Sequence, residues 1–192
     1  MIEVMASFPK EDIEKLQAKL SILSDEKEYR KVIYRAGRRA ARSGVTVIKR
    51  KLSEVTTLKS SKIGEYIKDH ITGGVNDDFT IGIKASRNVP PLSEFGFTPR
   101  APRHGVPPTV EVYRGKKTTF EKGAFVAKMP SGHIGIYEQK VKGKAYPIRQ
   151  IPGPSVAGIF KENEEVNTEA KDRVFEIFEN RVIHELDWLF NK

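Results

Sequence analysis

Apolar positions fall three and four apart along the first third of the chain, alternate through its middle, and return to helical spacing at its end. From Pro9 to about Leu23 the stripe is Ile13, Leu16, Leu20 and Leu23, which predicts a short amphipathic helix. After "LSDEKEY", where Asp25 and Glu28 match a capping box, a longer helical pattern runs to about Val55. Its apolar set is Tyr29, Val32, Ile33, Ala36, Ala40, Val47, Ile48 and Leu52. Ser43-Gly44 sits mid-pattern, and because a helical Gly costs about 1 kcal/mol relative to Ala, a kink or break is expected there. A third short helix, about Ser61 to His70, ends at the Gly-rich "TGGVNDD".

From there the period changes to two. "DFTIGIKAS" alternates Phe79, Ile81, Ile83 and Ala85 with Thr80, Gly82 and Lys84, the pattern of a half-buried strand. The following "RNVPPLSEFGFTPRAPRHGVPP" holds six of the eleven prolines and is expected to be an irregular loop, made basic by Arg87, Arg100, Arg103 and His104. A loop of that length in a compact domain is usually functional or disordered. "TVEVYRG", "TTFEKGAFVAKM", "GHIGIYEQKV" and "AYPIRQI" then predict successive antiparallel strands, turning at Gly115-Lys116, Pro130-Ser131-Gly132 and Lys142-Gly143. In "PGPSVAGIF", Pro154 suits the first position of a helix. A final helix from about Thr168 carries Ala170, Val174, Phe178, Val182, Leu186 and Leu189, while Phe175, Trp188 and Phe190 lie off that stripe and suggest a second apolar face.

The predicted architecture is α+β, an antiparallel sheet of about five strands packed against N- and C-terminal helices. One domain over 1–192 is expected, helical and basic over 1–72, β-sheet over 73–151 with the Pro-rich loop at 87–108, and helical over 152–192. No apolar run approaches the roughly 20 residues of a membrane span. The first residues lack the basic and apolar regions of an export signal, so synthesis in the cytoplasm is the simpler expectation. With no cysteine, disulfides and thiolate metal sites are excluded.

The net charge of +9 changes the picture. The polar side of the long helix carries Lys27, Arg30, Lys31, Arg35, Arg38, Arg39, Arg42, Lys49, Arg50 and Lys51, with no acidic residue between Glu28 and Glu54. Such a face attracts phosphate backbones without reading sequence, or it meets the acidic surface of a neighbour, or it is merely solvated. The basic side has only Tyr29 and Tyr34 for stacking on bases, and Arg is nearly alone where a recognition helix would carry Asn and Gln.

A catalytic constellation is harder to find. "RGKKTT" has the Gly-Lys of a phosphate loop, but the Gly required five residues before Gly115 is Val110, and a strand follows instead of a helix. "IHELD" around His184 lacks the second His of a zinc helix. Asp77 and Asp78 read as turn residues, and His133 as a hairpin tip with no nucleophile or orienting carboxylate beside it. No enzyme and no cofactor is expected, a hydrolase built on Asp77, Asp78 and His133 being the weakest alternative.

Three stretches carry a resemblance. "RNVPPLSEF", then "KGAFVAKMPSGHIGIYEQ", then "YPIRQIPGPSVAGIF" resemble in order and wording the prophage minor tail protein Z family, tail completion proteins of long-tailed bacteriophages. The match spans about Arg87 to Phe160 and extends loosely over the basic helix. The resemblance implies a structural virion protein, made in the host cytoplasm and located in the tail at its head-proximal end, where it acts late in tail assembly and head–tail joining. The implied partners are its own copies, in a ring of about six around the DNA channel, and other tail and neck proteins. Arg35, Arg38, Arg39, Arg42, Lys49 and Arg50 are then candidates to face DNA or acidic partners. Pro90, Pro91, Leu92 and Phe95 of the loop, with Trp188 and Phe190 of the last helix, are candidates for subunit contact. The competing expectation is a non-specific DNA-binding protein using the basic helix over 27–51.

Overall fold

The computed structural model of the chain describes residues 2–6, 26–72, 80–86, 88–120, 123–141 and 146–191. The helix expected from Pro9 to Leu23, the cap at Asp25 and the pair Asp77-Asp78 lie outside the described residues. In chain order the elements are β1 (Ile2–Ala6), α1 (Glu26–Val55), α2 (Ser60–Tyr66), β2 (Ile67–Thr72), β3 (Thr80–Ala85), a 3-10 turn (Leu92–Glu94), β4 (Gly96–Thr98), β5 (Thr109–Glu111), β6 (Lys117–Thr119), β7 (Ala124–Lys128), β8 (Ile134–Gln139), β9 (Ile148–Gln150), α3 (Val156–Glu162) and α4 (Glu164–Phe190). The class is α+β. The strands form three separate three-stranded antiparallel sheets, ordered β1-β3-β2, β4-β5-β6 and β7-β8-β9, and not one sheet of about five. The strand expected over 118–129 is divided between β6 and β7, which join different sheets, and Gly123, at φ 81°, immediately precedes β7.

The chain divides into two compact units, the first Met1–Ile48, Ile67–Ala85 and Phe160–Lys192, the second Lys49–Tyr66 and Ser86–Ile159. In the first unit, β3 is the central strand, and the stretch read as the end of a third helix is instead β2. Ile67 to Thr72 pair along their whole length with β3, from Ile67↔Ala85 to Thr72↔Thr80. A ladder of this kind outweighs the few turns a short helix could add, since helix nucleation is costly.

The main helix is continuous over Glu26–Val55, about 45 Å, with no break at Gly44. Val32, Ala36, Ala40 and Ile48 are buried together with Gly44, a row spaced by fours. In α4 the buried row is also spaced by fours, through Val166, Ala170, Val174, Phe178, Val182 and Leu186. Rows of this spacing are the ridges that interdigitate in the commonest class of helix packing. They meet at Gly44, where an added Cβ would lie 2.5 Å from Val174 Cγ2, 2.8 Å from Ile83 Cδ1 of β3 and 3.6 Å from the Ala170 carbonyl oxygen. The glycine is there for the contact. Nearer its start α1 reaches the far part of α4, Arg35 lying 3.5 Å from Glu185, so the two helices run antiparallel.

The second unit is built on hairpins. The end of α1 is tied to the β5–β6 turn, where Arg114 donates from its guanidinium to the Ser53 carbonyl at 3.0 Å and from its backbone N–H to the Val55 carbonyl at 3.0 Å. These are carbonyls that a helix end leaves without partners, and a cation there also suits the helix dipole. Gly115, at φ 80°, completes the turn by donating its N–H to Glu111 Oε1 at 2.7 Å. Ser155 caps α3 by accepting the Gly158 N–H at 3.0 Å, so the helix begins one residue past Ser155 and not at Pro154. In the β7–β8 hairpin Val126 and Ile136 are directly paired and buried, while Phe125, Met129 and Ile134 are half-buried.

The crowding at Gly44 gives a direct test. Gly44→Ala is expected to destabilise the protein by about 1–3 kcal/mol in urea unfolding, since overpacking outweighs the helical preference for Ala. In a Val174→Ala background the same change should cost less by at least about 0.5 kcal/mol, the mark of two residues in contact.

Candidate functional site

The basic face of α1 follows from helix geometry. Arg35, Arg38, Arg39 and Arg42 are spaced so that they share about 100° of arc, opposite the buried row. All four are exposed. Arg35 pairs with Glu185 at 3.5 Å and Arg42 with Asp69 of β2 at 3.9 Å, long contacts between partly exposed groups that contribute at most about 1 kcal/mol each. Among the described residues, Arg38 and Arg39 have no ion-pair partner. Lys49 and Arg50 belong to the second unit. The stem of Lys49 covers Gly64 of α2, where an added Cβ would lie 3.1 Å from its Cε, and Arg50 sits 3.9 Å from Glu54 one turn along the helix. The sequence-predicted set of six thus contains two guanidinium groups with no ion-pair partner among the described residues and four side chains engaged within the chain.

Charge is divided unevenly between the units. The second contains 17 Lys and Arg against 6 Asp and Glu, a net +11, and the first 17 against 19, a net −2. The basic character of the chain therefore resides in the second unit, although its densest run of arginine lies in the first. In the second unit the loop over 99–108 closes on the pair Thr98↔Thr109, and residues 100–107 are all exposed. Arg100 lies 4.6 Å above the Phe97 ring, a cation–π contact that holds the guanidinium at the base of the loop. On α2, Lys62 donates to Glu65 and faces Glu94, which raises its pKa above the ordinary 10.5.

The stretches that carry the family resemblance converge in the second unit. Pro91 pairs with Pro152, the Leu92 N–H donates to the Ile151 carbonyl at 2.9 Å, and the Gly153 N–H donates to the Pro90 carbonyl at 2.8 Å. Gly153 also accommodates Phe95, whose Cε2 would lie 2.6 Å from a Cβ at that position. Gln150 Nε2 lies 3.1 Å from Ser93 Oγ and 3.1 Å from His133 Nε2, joining the loop, β9 and the hairpin tip. Gly135 keeps the space this needs, since its Cβ would lie 2.9 Å from the Tyr137 ring and 3.1 Å from Gln150 Nε2. The hairpin tip turns through Gly132, at φ 84°, with the Met129 N–H donating to the His133 carbonyl at 2.8 Å.

This junction changes the reading of the Pro-rich segment. Leu92 is 5% and Phe95 1% exposed, Pro90 is buried and Pro91 half-buried. The side chains of Pro90, Leu92 and Phe95 are spent on the core of the second unit, while Pro91 stays partly exposed. The reason is the short turn at Leu92–Glu94 and the strand β4, which fold the segment onto β8 and leave only its second half, 99–108, as an open loop. Trp188 is 49% exposed and borders a shallow depression with His184, Asp187 and Asn191 at the end of α4. The Phe190 side chain lies outside the described residues.

His133 is exposed, and its side-chain contact is with an amide, so neither a nucleophile nor an orienting carboxylate is bonded to it among the described residues. No group of three His, Cys, Asp or Glu among the described residues could hold a metal ion, and no described helix is long and apolar enough to cross a membrane. The role of Arg114 was not legible beforehand, because its partner Ser53 is 61 residues away. Compared with protein-family models, curated proteins and solved structures, the chain shows no match.

Two substitutions separate surface from core. Replacing Arg38 and Arg39 by Ala is expected to leave the unfolding free energy within about 0.5 kcal/mol of the native value for each change. Phe95→Ala should cost about 3–5 kcal/mol in the same measurement.

Proposed function

We propose that the chain is a non-enzymatic structural component of a long-tailed bacteriophage virion, a minor tail or tail completion protein at the head-proximal end of the tail. It acts late in tail assembly and head–tail joining, as a ring of about six copies around the DNA channel. The observation that carries this reading is the junction in the second unit. The three stretches that resemble the tail protein family are far apart in sequence, yet Pro90, Pro91, Leu92, Ser93 and Phe95 touch Gln150, Ile151, Pro152 and Gly153, and Gln150 touches His133. The resemblance thus falls on residues that jointly build one structural unit, which is what a shared fold requires. The chemistry at hand suits binding: exposed cations are plentiful, and His133 contacts the Gln150 amide, with no nucleophile–base pair bonded there among the described residues.

A second reading, a DNA-binding protein acting alone, is favoured by the exposed Arg38 and Arg39 and by the net +11 of the second unit. Contact would be through the phosphate backbone, with affinity falling steeply as salt rises.

The two are separated by the mass of the purified protein from light scattering, at low and high salt, with and without duplex DNA. A discrete oligomer of about six subunits is the expected result for the tail reading. A monomer that binds free duplex DNA tightly, and loses about 10³-fold or more in affinity between 50 mM and 200 mM salt, would replace it with the second reading.

A further inference from the structure

We infer that copies of this chain associate through the basic face of α1 on one copy and an acidic face of α4 on the next, a contact that rests on the ring reading above. The acidic face consists of Glu165, Asp172, Glu176, Glu179 and Asp187, all exposed. Their spacings of seven, four, three and eight place them within about 80° of arc along about 33 Å of helix. The row contains no Lys or Arg, and Ile183, 40% exposed, sits in it between Glu179 and Asp187. Arg173 lies beside it and takes Glu176 at 2.7 Å. Among the described residues, Glu165, Asp172 and Glu179 have no ion-pair partner, as is true of Arg38 and Arg39 on α1.

The two faces are complementary in charge and belong to the same unit, but one copy cannot bring them together. The rows that α1 and α4 turn towards each other are the apolar ones that meet at Gly44, so Arg38 and Arg39 and the acidic row of α4 are directed away from that contact, while Arg35 of the basic face reaches α4 at Glu185, outside that row. A contact between two different patches of identical chains is heterologous, and it propagates head to tail until it closes. A second copy also fits better than a nucleic acid at this face. The first unit has a net charge of −2, and a phosphate backbone that approached Arg38 and Arg39 would do so against that overall negative charge, whereas the neighbouring chain offers separated carboxylates on a rigid helix.

Charge exchange tests the contact. One variant combines Arg38→Glu with Arg39→Glu, and the other combines Asp172→Lys with Glu179→Lys. All four positions are exposed, and unchanged circular dichroism and thermal midpoint establish that each variant is folded. Alone, each variant opposes like charges and is expected to associate at least about a hundredfold more weakly than the wild type. Mixed in equal amounts, the two restore a complementary pair at every interface, and light scattering should recover an oligomer in which they alternate. Variants that assemble like the wild type, or a mixture that stays monomeric while the wild type assembles, overturn this contact and leave the ring reading standing. A wild type that stays monomeric under all conditions overturns the contact along with self-assembly. If either reversal fails to fold, Arg38→Ala with Arg39→Ala and Asp172→Asn with Glu179→Gln replace them, each expected to weaken association about tenfold. An unchanged affinity in both neutral variants overturns the contact.

Discussion

Where α1 passes α4 and β3, position 44 must be a hydrogen. A single carbon more would stand 2.5 Å from Val174 and 2.8 Å from Ile83, distances that packed atoms do not adopt. The row on α1 is otherwise made of small or slender residues on either side, Ala36 and Ala40 before the crossing and Ile48 after it. That narrow profile lets the helix press into the row of α4. The intrinsic cost of about 1 kcal/mol for Gly in a helix is thereby offset by the burial it permits on two sides. The arrangement also decides what the rest of the first unit can offer its surroundings. With the apolar rows engaged, each helix directs its charged side elsewhere, arginine on α1 and carboxylates on α4.

The second unit depends on a different device, the fitting of a Pro-rich segment against the stretch from Gln150 to Gly153 at the end of β9. Prolines at 90, 91 and 152 cannot donate, so the segment is held by the donors that remain, the N–H groups of Leu92 and Gly153. Phe95 fills the place that Gly153 leaves, and Gln150 extends the junction to Ser93 and His133. The residues of these stretches are therefore explained by mutual fit, and they hold a shape from which the loop over 99–108 projects.

Charge then divides the labour between the units. A net +11 in the second, with Arg100, Arg103 and His104 on an open loop, suits the approach of polyanions, and a near-neutral first unit with a basic and an acidic helix face suits copies of itself. Under the proposed tail reading both properties have a use, one in repeating around an axis and one in tolerating the negative charge of a genome.

The long helices were legible from the sequence because their period is strong. The range expected for α1 ended at Val55 as observed, and the row Ala170, Val174, Phe178, Val182 and Leu186 was read directly from spacing and is buried. The basic face was legible for the same reason, since a helix converts a three-and-four spacing into a surface. What the sequence could not determine was anything set by residues distant along the chain. β2 carries no clean alternation, since Asp69 stands between Ile67 and Ile71 on one face, so only pairing with β3 decided it, and the strand expected over 118–129 divides into β6 and β7 of different sheets. Leu92 and Phe95 looked available for partners until the distant Gln150 to Gly153 segment covered them. Gly44 looked like a break until Val174 and Ile83 gave it a use. Local periodicity determines which residues share a face, because it depends on neighbours in sequence; what that face meets, and so whether it is core or surface, is decided only by tertiary contact.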